Sequence, residues 1–184
     1  MGGSTNPELG ARLTLSPPSV YLFRSYLDFL EEMRLLSDTI WPSRLPAAGE
    51  SREAFVARLL AKETAPEPTA VPESIYWGVI DSCVVGFITL RHRLTERLAQ
   101  FGGNVSYEVR PSYRRQGVAT AMLRLILATE RARAMGQILV TCAPTNAASR
   151  RTIEANGGKL VGTVFSDEAQ RETCHYWIDV ADVR

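Results

Sequence analysis

The most informative segment of the chain reads Tyr107-Glu108-Val109-Arg110-Pro111-Ser112-Tyr113-Arg114-Arg115-Gln116-Gly117-Val118-Ala119-Thr120. A strand predicted over 105–109 leads into it and is cut off by Pro111, because proline lacks the N–H that a sheet ladder needs. A short turn follows, and apolar residues then recur with helical spacing from Gly117 onward. The segment therefore predicts a strand, a turn and the start of a helix in close succession.

The start of this helix is a predicted anion-binding site. The first turn of a helix has free N–H groups and lies at the positive end of the helix dipole. Gly117 and Ala119 lack bulk, so a pyrophosphate can approach the backbone, and Arg114 and Arg115 add positive charge at the rim. An ordinary strand–turn–helix with two solvated arginines is the alternative interpretation of the same residues.

The flanking sequence predicts an α/β (α+β) fold. The order is strand, two helices, three strands, helix, strand, helix and two strands, without regular alternation. This order favours a mixed, mostly antiparallel central sheet with helices on both faces. The predicted strands are 13–15, 75–80, 84–90, 105–109, 138–142, 160–165 and 173–180, and the predicted helices are 22–36, 51–60, 116–135 and 147–156.

Length, charge and cysteine content narrow the class of protein. The 184 residues, 45% of them hydrophobic, suit a single domain, predicted over 11–184 after a disordered tail over 1–10. A formal net charge of +1 disfavours a nucleic-acid-binding module, and no apolar run reaches the ~18–20 residues of a membrane helix. Three widely spaced cysteines fit neither a disulfide framework nor a zinc site, so we expect reduced thiols, no metal and a cytoplasmic location.

Two motifs of the chain resemble those of the GNAT acetyltransferase superfamily. The family's acyl-CoA signature is Arg or Gln, two variable residues, Gly, one variable residue, then Gly or Ala. Here Arg114-Arg115-Gln116-Gly117-Val118-Ala119 is similar to it. A second match follows the strand 138–142, where Asn146, Ser149 and Gly157 stand for the family's helix-opening Asn, small residue and Gly. The resemblance covers about residues 75–180.

The resemblance implies a fold and a co-substrate. In GNAT proteins the fourth and fifth strands splay apart, and the pantetheine arm of acetyl-CoA lies between them, paired with the fourth strand. The pyrophosphate sits on the amides of the turn before the helix, and the helix-opening Asn reaches the arm from the other side. The implied cofactor-binding residues are Val109, Arg114, Arg115, Gln116, Gly117, Val118, Ala119, Thr120, Asn146 and Ser149.

One departure from the family pattern concerns the mechanism. Many relatives carry a tyrosine seven residues after the equivalent of Asn146, where it protonates the departing CoA thiolate. Here Ile153 stands at that position, so the common acid has to be replaced or dispensed with. Tyr176 and His175, in the last predicted strand, are the candidate replacements.

Glu108 is the candidate general base. By the two-residue period of a strand, Asn104 and Ser106 share its face, while the apolar residues of the strand lie on the other face. A fully polar face is unusual in a covered sheet, and a substrate cleft would account for it. We expect Glu108 to accept the amine proton, directly or through water. The alternative is an ion pair between Glu108 and Arg110 or Arg91.

The loop between the first two helices usually walls the acceptor pocket in this fold. Here it contains Asp38, which could hold an ammonium group, and Trp41, which could stack on a substrate or merely staple the loop to the core. We therefore expect an N-acetyltransferase that moves an acetyl group from acetyl-CoA to a primary amine of a small molecule or peptide, by direct attack in a ternary complex. A non-catalytic acyl-CoA-binding sensor is the alternative. Neither nucleic acid nor a membrane is an expected partner, and a homodimer is compatible with the sequence.

Overall fold

Seven strands make two antiparallel sheets in the computed structural model, which describes residues 7–38, 40–65, 70–166 and 170–182. The first sheet has the order β1-β2-β3-β4 and the second has the order β5-β7-β6. The strands are β1 (Thr14–Ser16), β2 (Glu73–Ile80), β3 (Cys83–Arg91), β4 (Val105–Val109), β5 (Gln137–Cys142), β6 (Lys159–Ser166) and β7 (Arg171–Asp179).

Helices cover both faces of the first sheet. They are α1 (Pro7–Arg12), α2 (Phe23–Leu35), α3 (Arg52–Ala61), α4 (Glu96–Phe101), α5 (Val118–Leu127), α6 (Glu130–Met135) and α7 (Ala147–Glu154). One apolar core joins α2 and α3 to β2 and β3, and a second joins α5 and α7 to β3, β5 and β7. The predicted mixed, mostly antiparallel sheet with helices on both faces is confirmed. No helix within the described ranges combines the length and the apolar character needed to cross a bilayer.

The two sheets meet at one point, just before β4. The backbone N–H of Asn104 donates to the carbonyl oxygen of Leu139 over 2.7 Å, and the N–H of Leu139 donates to Asn104 Oδ1 over 2.9 Å. The preceding Gly103 has φ +61°, and a Cβ there would lie 2.6 Å from the Leu139 carbonyl oxygen. This close approach requires glycine. Because β4 and β5 belong to different sheets, the fourth and fifth strands separate beyond this joint.

The N-terminal tail and the helix predicted over 116–135 differ from the sequence-based prediction by more than a residue or two at their ends. The tail predicted over 1–10 is too long, because α1 begins at Pro7 and Leu9 packs against the core; residues 1–6 lie outside the described residues. The single helix predicted over 116–135 is two helices, α5 and α6. The break comes at Thr129, whose hydroxyl accepts a hydrogen bond from the N–H of Ala132 and so caps a new helix.

Candidate active site

The turn between β4 and α5 has the backbone of an anion-binding site. Arg115 and Gly117 both have positive φ, 60° and 83°, on either side of Gln116, whose side chain is held by the carbonyl of Ser112. Gly117 then caps α5, a helix of ten residues, so the N–H groups of its first turn have no partner within the helix. Alternating backbone handedness before a helix start creates a concave group of N–H donors. The residues 115–120 therefore lie where the family signature implies a pyrophosphate contact.

Arg114 does not join this turn. Its Nε donates to the carbonyl oxygen of Val109 over 3.0 Å, and its Nη2 donates to Asp38 Oδ2 over 2.7 Å. The guanidinium therefore faces the loop after α2 rather than the rim of the turn. The described contacts support a role in holding that loop, and they do not support the predicted contact between Arg114 and the cofactor.

The open edge of β4 faces the gap between the sheets. The N–H of Arg91 bonds the carbonyl of Asn104, and the N–H of Arg110 bonds the carbonyl of Val85. In an antiparallel ladder the backbone groups of alternate residues point to the same neighbour. The backbone groups of Tyr107 and Val109 therefore point away from β3, into the gap. The amide of Val109 is placed as the resemblance to the family implies for pairing with a pantetheine arm.

Asn146 and Ser149 lie on the opposite side of this gap. Asn146 Oδ1 caps α7 by accepting from the N–H of Ser149 over 3.0 Å, and Asn146 as a whole is exposed. The hydroxyl of Ser149 lies 2.8 Å from the hydroxyl of Tyr107, so a hydrogen bond joins α7 to β4. Burial raises the pKa of Tyr107 to about 12, and the hydrogen bond to Ser149 lowers it.

Sequence reasoning did not identify the contact between Tyr107 and Ser149. The strand period placed Tyr107 on the apolar face with Val105 and Val109, and it does pack against that core. Its hydrogen-bond partner, Ser149, lies 42 positions later in the chain. The available signal was the small residue at position 149, three residues after the helix-opening Asn146.

Glu108 points to the other face of β4, into a narrow crevice. Burial raises the pKa of its carboxyl from the ordinary value to about 7, while the charge of Arg114 lowers it and that of Asp38 raises it. Neither ion pair considered for Glu108 forms: Arg110 bonds Glu32 over 2.6 Å, and Arg91 bonds the carbonyls of residues 102 and 103. The crevice is lined by Phe29, Leu30, Met33, Ile40, Trp41, Phe87 and Glu108.

The structure brings the predicted acceptor residues to this crevice. Trp41 lines it with a side chain that is 60% exposed. Asp38 lies close enough to raise the pKa of Glu108, but its Oδ2 is already bonded to Arg114. The crevice has a mostly apolar wall, a nearby ion pair and a carboxyl whose pKa is about 7. Such a site can hold an amine and accept its proton.

Tyr176 and His175 are directed elsewhere. Tyr176 is fully buried on β7, where its hydroxyl donates to Glu154 and accepts from Arg150. The Nε2 of His175 donates to the carbonyl oxygen of Gln100 over 2.7 Å. Within the described part of the chain, no hydrogen bond joins either residue to Glu108 or Asn146. Both polar groups are already bonded, and their predicted role as the acid finds no support in these contacts.

The family comparison agrees with this geometry. Residues 12–159 match the model of the acetyltransferase (GNAT) domain family. The match covers more than half of the chain, so the chain belongs to the GNAT acetyltransferases. Comparison with curated proteins gave no significant match.

Solved structures with a similar fold are also acetyltransferases. RimL, a ribosomal L7/L12 α-N-protein acetyltransferase in complex with coenzyme A, is 16% identical with a TM-score of 0.67, over 93% of this chain and 96% of that one. The microcin C7 self-immunity acetyltransferase MccE, in complex with acetyl-CoA and AMP, is 14% identical with a TM-score of 0.65, over 91% and 92%. The aminoglycoside acetyltransferase AAC(6')-Ib in complex with coenzyme A is 15% identical with a TM-score of 0.61, over 91% and 94%.

Proposed function

We propose that the protein transfers an acetyl group from acetyl-CoA to a primary amine by direct attack within a ternary complex. Acetyl-CoA supplies the acetyl group. The amides of residues 115–120 bind its pyrophosphate, the open edge of β4 binds its arm, and the side-chain NH₂ of Asn146 contacts the arm from the facing side. The amine enters from the crevice between Trp41 and Glu108.

The observation that carries this proposal is the position of Glu108. Its carboxyl lines a narrow crevice between α2 and β4, on a strand whose free edge is where the cofactor arm is proposed to bind. Its pKa of about 7 suits a general base, because a base is most effective when its pKa lies near the working pH. Glu108 removes a proton from the amine as the amine attacks.

The proton needed by the departing thiolate comes from the paired hydroxyls of Tyr107 and Ser149. They lie on the cofactor side of β4 and bridge the gap between β4 and α7. The hydroxyl that faces the thiolate donates a proton, the other hydroxyl holds it in place through their hydrogen bond, and solvent returns the proton once CoA has left. This pair takes the place of the tyrosine for which the chain has Ile153, a residue fully buried in the core.

The test of the proposed function is steady release of CoA thiol with a panel of primary amines. The panel contains short alkylamines, ω-amino acids, peptides with a free α-amine, and aminoglycosides. We expect sustained release of CoA thiol with at least one class of amine. Mass spectrometry should then detect the acetylated product. Binding of acetyl-CoA without release for any amine would instead favour the acyl-CoA-binding sensor.

Tyr107→Phe is expected to slow turnover mainly at neutral pH. General-acid help is worth ~10²–10⁴-fold, and we expect roughly tenfold here because a thiolate is already a fair leaving group. Above the pKa of the CoA thiol the thiolate leaves unprotonated, so the deficit shrinks as the pH rises. The measurement is kcat against pH from 6.5 to 10 for wild type and variant.

Tyr76→Phe is the matched control, since Tyr76 is another half-buried strand tyrosine packed against the same core. Ser149→Ala completes a double-mutant cycle with Tyr107→Phe. If the two hydroxyls act as a unit, the double variant is only slightly slower than the slower single variant. Independent, additive losses, or a deficit that is flat across pH, would contradict the paired-donor assignment.

A further inference from the structure

Two buried donors on the crevice side of the first sheet lack a hydrogen-bond partner within the described residues. They are Nη1 of Arg44 and Nε1 of Trp77. Arg44 is 5% exposed and Trp77 is fully buried. Buried side-chain donors are nearly always paired in folded proteins, because an unpaired one loses its hydration without compensation. Two such donors in one region point to an oxygen-bearing ligand.

The two residues are linked through shared neighbours. Trp77 on β2, Phe87 on β3 and Glu108 on β4 are in register, so their side chains form one row across the first sheet. The guanidinium of Arg44 lies 5.5 Å from the centre of the Phe87 ring. Tyr26 contacts both Arg44 and Trp77, since its ring stacks on Trp77 and its hydroxyl donates to the carbonyl of Arg44 over 2.9 Å.

The charge around Arg44 is unbalanced. Glu73 accepts from Arg44 Nη2 at 3.2 Å and from Lys62 Nζ at 3.5 Å, and its cross-strand partner is Arg91. Two cations, Arg44 and Lys62, therefore contact one carboxylate, and Arg91 stands across the ladder from it with its guanidinium on the carbonyls of residues 102 and 103. Glu63, the other acidic residue nearby, accepts from the hydroxyl of Ser74. An excess of buried positive charge is unfavourable unless an anion offsets it.

Arg44 also adjoins two residues that line the crevice, Trp41 and Phe87. It ends the short turn Pro42–Arg44, and its N–H donates to the carbonyl of Trp41 over 2.8 Å. Trp41 and Phe87 both line the crevice beside Glu108. Phe87 therefore lies between the proposed base and both donors: Glu108 and Trp77 are its neighbours in the row, and the guanidinium of Arg44 stands over its ring.

We propose that Arg44 and Trp77 bind a carboxylate of the acceptor. The acceptor is then an amine with an apolar body and a carboxylate at its far end, with the amine at Glu108 and the body over Phe87. The assignment of this class rests on the proposed function, because that function places the acceptor in the crevice. Binding of a carboxylate at Arg44 can be tested separately from turnover.

The probes are ω-aminocarboxylates of four to eight carbons, the matching ω-amino amides, and alkylamines of equal length. Binding to the protein saturated with CoA is measured by calorimetry, and acetylation of the same compounds is measured by thiol release. We expect at least one carboxylate to bind about tenfold or more tighter than its amide, since hydrogen bonds from guanidinium to carboxylate are charge-assisted. In Arg44→Met this preference should disappear.

Arg24→Met is the matched control, because Arg24 is an exposed arginine paired with Asp28 on α2, and it should keep the preference. Arg44→Lys retains the charge and serves where Arg44→Met fails to fold; it should keep part of the preference. Equal binding of carboxylates and amides by wild-type protein would overturn the inference even if amines are acetylated. Carboxylate binding that depends on Arg44, with no acetylation of any amine, would support the anion site and contradict the proposed function.

Discussion

Glu108→Gln is expected to lower kcat by about 10²–10⁴-fold while the affinity for acetyl-CoA stays near that of wild type. The substitution keeps the shape of the side chain and removes its ability to accept a proton. Glu108 faces the crevice, whereas the predicted cofactor contacts lie on the turn before α5 and the open edge of β4. Turnover and acetyl-CoA binding should therefore separate, and both are measured on the same preparation.

The pH dependence gives an independent check on Glu108. Because the pKa of its carboxyl is raised to about 7, the carboxylate form that accepts a proton predominates only above that pH. The rate of the wild-type enzyme should rise through neutrality and level off, and this limb should be absent from Glu108→Gln. Glu96→Gln, an exposed carboxylate in the first turn of α4, is the control and should behave as wild type. A Glu108→Gln rate within a fewfold of wild type would remove Glu108 from the mechanism.

The same variant should be more stable than wild type at high pH. The folded pKa of Glu108 lies above its unfolded value, so the folded protein binds an extra proton between about pH 4.5 and 7. Stability therefore falls as the pH rises through this window, by up to about 3 kcal/mol for a shift of this size, and stays at the lower value above it. Glu108→Gln should therefore raise the thermal midpoint at pH 8 and leave it unchanged near pH 4. This result also shows that a loss of activity is not a loss of fold.

Gly117→Glu is expected to abolish measurable acetyl-CoA binding while the protein stays folded. Gly117 has φ 83° at the start of α5, where the free amides are proposed to bind the pyrophosphate. A glutamate there adds bulk and a negative charge against an anion. Placing like charges together costs several kcal/mol, which corresponds to a loss of at least about 100-fold in affinity by calorimetry.

Two matched variants separate the causes of that loss. Gly117→Gln has the same bulk and the same left-handed strain without the charge, so it should bind acetyl-CoA more weakly than wild type and better than Gly117→Glu. Gly49→Glu places a charged side chain at another positive-φ glycine, φ 76°, with open space around it, and should leave binding intact. Unchanged affinity in Gly117→Glu would mean that the pyrophosphate does not bind at this turn.

Local patterns predicted the elements that frame the site. The strand over 105–109 and the helix start at Gly117 could be located because proline, glycine and apolar spacing act over a few residues. The face of Glu108 also followed from the sequence, because side chains alternate strictly along a strand without a bulge. The register between β3 and β4 contains no bulge, so the alternation holds from Val105 to Val109.

Partner choice over long sequence distances could not be predicted in this way. The sequence predicts Arg114 at the rim of the pyrophosphate-binding turn, but its guanidinium bonds Asp38, which is 76 positions earlier. Tyr176 has a plausible position for an acid, but on β7 its hydroxyl lies between Arg150 and Glu154 of α7. Each pairing depends on how a helix packs on a strand that is remote in the chain, and a residue type alone does not encode it.

The sequence by itself determined the family, the order of the seven strands, the helix start that carries the free amides, and the face on which Glu108 stands. These features depend on backbone restrictions and side-chain periods that act between near neighbours. Only the tertiary structure decided that Tyr107 reaches Ser149 across the gap and that Glu108 is largely buried with a pKa of about 7. It also decided that Arg44 and Trp77 each have a buried donor without a hydrogen-bond partner among the described residues. The reason is that burial, hydrogen-bond pairing and pKa depend on the groups that the fold brings to within a few ångströms, and those groups come from distant parts of the chain.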